Sequence, residues 1–62
     1  MRQWLTETRV RQGFKQKDIA QYAQISAASY CLIESGNRRP SVEVAKRIAS
    51  ALGFDWTRFF EE

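Results

Sequence analysis

"QKDIAQYAQISAASYCLIESG" runs from Gln16 to Gly36. Its apolar positions Ile19, Ala20, Ala23, Ile25, Tyr30 and Ile33 keep a helical spacing that breaks near Gln24 and Ile25, and Ser26 is a good cap for whatever follows. The spacing predicts two short helices joined by a tight turn, the second halted by a left-handed glycine at Gly36. A second helix followed by the basic loop from Asn37 makes a helix-turn-helix, in which that helix enters the DNA major groove and the first lies across the backbone. The competing reading is an ordinary helical hairpin.

Outward from this pair the punctuation continues. Gly13 and Gly53 also follow apolar-periodic stretches and read as helix terminators. Ser41, just after the sole proline Pro40, caps a segment from Val42 to Leu52 in which Val42, Ala45, Ile48, Ala49 and Leu52 form one stripe. A last turn, Asp55 to Phe60, opens on an acidic cap. No strand-like alternation competes, so an all-α chain of five short helices is expected, with no linker, repeat or low-complexity segment.

Composition narrows the functions. A chain of 62 residues makes one domain, residues 1–62, and buries only about 60% of the surface its unfolded form exposes, yet eight aromatic residues (four Phe, two Trp, two Tyr) require a compact core. With no histidine and a single cysteine there is no zinc-ligand set, no internal disulfide and no histidine-based catalytic group. No metal, cofactor or enzymatic activity is therefore expected. No apolar run approaches the roughly 20 residues of a membrane span, and the start lacks a long apolar signal region, so a cytoplasmic protein with no membrane partner is expected. Ten basic against seven acidic residues give +3, which suits a polyanion without proving one.

The sequence resembles the Cro-like phage repressor family, the xenobiotic-response-element type of helix-turn-helix proteins, from Leu5 to Phe60 and without insertion or deletion. The matching pieces are Arg9 with Gly13, "QKDIA" (Gln16 to Ala20), "ISAASYCLIESG" (Ile25 to Gly36) and "RRPSVEVAKRIASALGF" (Arg38 to Phe54). That resemblance implies a lambda-repressor-like domain with the helix-turn-helix formed by helices 2 and 3, and double-stranded DNA as partner. Gln16 matches a glutamine that bonds a DNA phosphate, with Lys15 and Lys17 beside it; Asn37, Arg38 and Arg39 match a loop that grips the backbone from the other side. Such contacts set affinity and register, not sequence. Arg9 and Glu34 match an ion pair that links helix 1 to the end of helix 3, which explains how an acid is tolerated there.

Against the family pattern, Gln24 stands where a glycine with positive φ is common, Thr8 replaces an apolar core residue, and Lys15 replaces a Ser or Thr cap. The largest departure is in helix 3. Its groove-facing positions by this alignment are Ala27, Ala28, Ser29, Cys31 and Leu32, where relatives often carry long side chains that bond base edges in pairs. What remains is apolar contact with thymine methyls, one hydroxyl, and readout of DNA shape. Tyr30 is expected to pack inward with its hydroxyl at the rim, and Cys31 to be an unreactive thiol.

"GFDWTRFFEE" concentrates Phe54, Trp56, Phe59 and Phe60 at the end of the chain. Some should close the core over helices 1 and 4 with Trp4; Trp56, Phe59 and Phe60 are candidates for a homodimer interface. The expected function is a small transcription regulator, a repressor of phage or mobile-element type that binds operator DNA as a dimer through helix 3. The rival is a protein-interaction module of the same fold (an antirepressor, heterodimer partner or antitoxin) that meets a regulatory protein partner through the apolar helix 3 face or the C-terminal aromatics.

Overall fold

The computed structural model describes residues 1–61. In order along the chain it forms α1 (Gln3–Arg11), α2 (Gln16–Ala23), α3 (Ala27–Ser35), α4 (Val42–Leu52) and a 3-10 turn, Trp56–Phe60. The expected fifth helix is thus a 3-10 segment. Its five residues are too few to build an α-helical ladder, and Arg58 N–H bonds Asp55 O at 3.0 Å, three residues back.

Each helix has a local cause. In α4 the Ser41 hydroxyl accepts from Val44 N–H at 3.2 Å, and Ala45, Ile48, Ala49 and Leu52 turn to the core at a spacing of three and four. Val42, expected in the same stripe, is exposed, because it starts the helix before its face meets the core. For α3 the Ser26 hydroxyl accepts from Ser29 N–H at 3.0 Å. The start of α2 keeps half of a capping box: the Asp18 carboxylate accepts from Lys15 N–H at 2.8 Å, while the lysine side chain has no acceptor with which to answer. Thr8, half-buried in α1, donates its hydroxyl to Trp4 O at 2.7 Å, which satisfies a polar group at an apolar position.

The four helices surround one core of Leu5, Ile19, Ala20, Ala23, Tyr30, Ile33, Ala45, Ile48, Leu52 and Phe59. Trp4, Phe54 and Phe59 meet edge to face or tilted, with ring centroids 5.1 to 5.6 Å apart, and close it over α1 and α4. Phe59 is fully buried in this cluster and offers nothing to a second chain, which corrects its assignment to a dimer interface. Trp56 and Phe60 form a separate ring pair, 6.0 Å apart, nearer the surface. The Tyr30 hydroxyl is likewise buried rather than at the rim, since the ring is held fully inside α3's inner face.

Among the described residues no helix is long and apolar enough to cross a membrane.

Candidate nucleic-acid interface

The turn between α2 and α3 is set by two residues. Gln24 takes the left-handed conformation (φ 63°, ψ 38°), alone among the non-glycine residues described, and Ile25 follows with its N–H on Ala20 O at 3.0 Å. Ser26 then returns to extended backbone and caps α3 at once. Arg47 of α4 reaches the same corner, bonding Ala23 O at 3.4 Å while pairing with Glu43 one turn behind it. The two helices are therefore held at a fixed angle from both sides.

α3 is divided lengthwise. Tyr30, Ile33 and Glu34 face inward and are buried, whereas Ala27, Ala28, Cys31 and Leu32 are exposed. Ser29 lies between, half-buried, on the edge of the outer face.

Glu34 is the hub that ties this helix to α1 and α2. Its Oε2 accepts from Arg9 Nε at 2.6 Å, and its Oε1 accepts from Thr6 Oγ1 at 2.9 Å, Gln16 Nε2 at 3.0 Å and Arg9 Nη2 at 3.3 Å. Burial by itself would push this carboxyl up, but the bonds, Arg9's first, outweigh it and hold the carboxyl below its usual value. The Tyr30 hydroxyl stands beside the pair without a well-aligned hydrogen bond, and burial pushes its phenol far up. Gln16, expected on a phosphate, is thus already engaged in the unbound protein; its amide nitrogen has a second proton to give.

Of the expected backbone-contacting residues, Lys15 and Lys17 are exposed at the start of α2, where the helix dipole also favours an anion. Asn37, Arg38 and Arg39 are exposed in the loop after α3, but each side chain has a partner. Asn37 Nδ2 bonds Ser35 Oγ at 2.9 Å, Arg38 Nη1 bonds Ser29 Oγ at 3.1 Å, and the Arg39 guanidinium lies over the Phe60 ring, 5.6 Å from its centroid.

Arg2 is the residue that sequence reasoning missed. Only 7% exposed, it bonds Ile33 O at 2.6 Å and Arg38 O at 3.0 Å through Nη1, and its N–H bonds Glu34 O at 2.8 Å. These bonds satisfy the last carbonyls of α3 and fasten the following loop. Nothing in the spacing could have announced it, because its partners are backbone atoms 31 to 36 residues away.

The profile of the helix-turn-helix family matches residues 5–59 of this chain. An uncharacterized HTH-type transcriptional regulator of Bacillus subtilis (strain 168), YqaF, is 53% identical over 62 residues, which is 100% of this chain and 82% of YqaF. No solved structure matches significantly.

Proposed function

Because the chain belongs to the Cro/C1-type helix-turn-helix family of DNA-binding transcription regulators, we propose that it is a repressor that occupies operator DNA as a homodimer, with α3 in the major groove. What supports the reading is the division of α3. Its inner face is fastened by core packing and the Glu34 hub, while Ala27, Ala28, Cys31 and Leu32 on its outer face are exposed. Small side chains there let the helix axis sit close to the bases. Lys15, Gln16 and Lys17 on one side and Asn37 and Arg39 on the other supply the charge and hydrogen bonds for phosphates. The acid on the helix does not oppose this, since Arg9 neutralises Glu34 inside the protein. In a twofold dimer the two α3 helices would lie one DNA turn, about 34 Å, apart.

A titration against random-sequence duplex at two salt concentrations tests the reading. Affinity should fall with salt, with a log–log slope of about −0.9 for each phosphate contacted. Absence of binding at low salt rejects it in favour of a protein-binding role for the same α3 face, through Leu32 and its alanine neighbours.

A further inference from the structure

The outer face of α3 carries no long polar side chain of its own, yet one is laid against it. Arg38 projects from the loop beyond Gly36 back to Ser29 in the first part of the helix, where Nη1 meets Ser29 Oγ at 3.1 Å. We infer that Arg38 is the residue with which this protein reads sequence, by presenting its guanidinium to a guanine beside α3 in the major groove. The inference deepens the regulator reading and rests on it.

The placement is built from three directions. The Arg38 N–H bonds Leu32 O at 3.2 Å, and its carbonyl takes Arg2 Nη1 at 3.0 Å, so the backbone that carries the side chain is fixed to the end of α3 and to a buried arginine. Ser29 in turn is held by the cap: Ser26 Oγ lies 3.0 Å from both the N–H and the Oγ of Ser29. The hydroxyl that receives Arg38 is therefore itself anchored to the start of the helix. A guanidinium has five N–H donors in a fixed planar fork, and Ser29 takes one of them. The rest match the paired acceptors O6 and N7 on the major-groove edge of guanine, a pattern that no other base presents. Arg39, next in the chain, is drawn instead to Phe60, and Lys15 and Lys17 stand at the start of α2. Of Lys15, Lys17, Arg38 and Arg39, Arg38 is the one whose side chain bonds a side chain of α3 among the described residues.

The test separates a fork from a charge. Binding sites are selected from a random duplex pool with the full chain, and affinities of the wild type, Arg38→Lys, Arg38→Ala and Ser29→Ala are measured on the selected site and on single-base replacements. The wild type should show at least one guanine whose replacement by adenine costs about tenfold or more. Arg38→Ala, which removes the fork, should bind the guanine and adenine sites equally, Arg38→Lys, whose ammonium can still donate to O6 and N7 but without the planar fork, should keep only part of the preference, and Ser29→Ala should lose part of it as well. Circular dichroism confirms that each variant is folded. If Arg38→Ala weakens all sequences by one common factor, Arg38 supplies charge only and the inference falls while the regulator reading stands. A wild type that binds no duplex at low salt overturns both.

Discussion

Glu34 is a carboxylate only 3% exposed on the inner face of α3, and its environment decides both its charge and its cost. Taking an ion out of water is expensive unless it is paired and its lone pairs are filled, which Arg9, Gln16 and Thr6 do together. Arg9→Ala removes the only opposite charge bonded to it among the described residues and should cost on the order of 3 kcal/mol in urea denaturation; a loss of a few tenths would show that the pair is incidental. The depressed carboxyl also sets a pH dependence. Below the usual value of 4.5 the unfolded chain binds the proton first, so stability rises with pH through the window between the folded and unfolded values. Glu34's contribution is complete above that window and is lost as pH falls through the folded value. The urea midpoint should therefore decline as pH is lowered from about 5 towards 3, and Glu34→Gln should flatten the decline; an unchanged profile in that variant would assign it to other acids.

At the scale of the element, the turn between α2 and α3 holds the clearest conflict between residue and backbone. Gln24 sits at φ 63°, where a side chain costs about 1 to 2 kcal/mol that glycine avoids. Glycine gives back about 0.5 to 1 kcal/mol through its freer unfolded chain. Gln24→Gly is thus expected to be neutral or to stabilise by up to about 1.5 kcal/mol, read as an unchanged or higher melting temperature; a clear drop would mean that the glutamine side chain contributes something its backbone does not reveal.

At the scale of the whole molecule the C-terminal aromatics bear on whether two copies associate. The core absorbs Phe59, with Trp4, Phe54 and the half-buried Trp56 packed against it, which leaves Phe60 as the exposed member of the Trp56–Phe60 pair, with Lys46 5.1 Å from the centroid of the first ring and Arg39 over the second. If this pair forms the twofold contact, sedimentation at micromolar concentration should show a dimer that the double change Trp56→Ala, Phe60→Ala converts to a monomer. Phe59→Ala should instead unfold the domain by about 3 to 5 kcal/mol, as truncation of a buried ring does. A wild-type chain that remains strictly monomeric, alone and on DNA, removes the dimer from the proposal.

By itself the sequence determined the order of the helices and the ends of α3 and α4, because caps, glycines and apolar spacing are local signals. Ser26, Ser41, Gly36 and Gly53 act within a few residues of where they stand. Family likeness added the pairing of Arg9 with Glu34, whose 25-residue separation no local rule could bridge. Only the tertiary structure decided which aromatics fill the core, because Phe59 and Phe60 are neighbours in sequence and turn to opposite environments. The same holds for the loop after α3. Arg38 and Arg39 look alike in sequence, but one is laid along α3 by Ser29 and by Arg2's hold on its carbonyl, and the other rests on Phe60. The fold assigned two adjacent arginines different surroundings through partners that are distant in the chain and close in space.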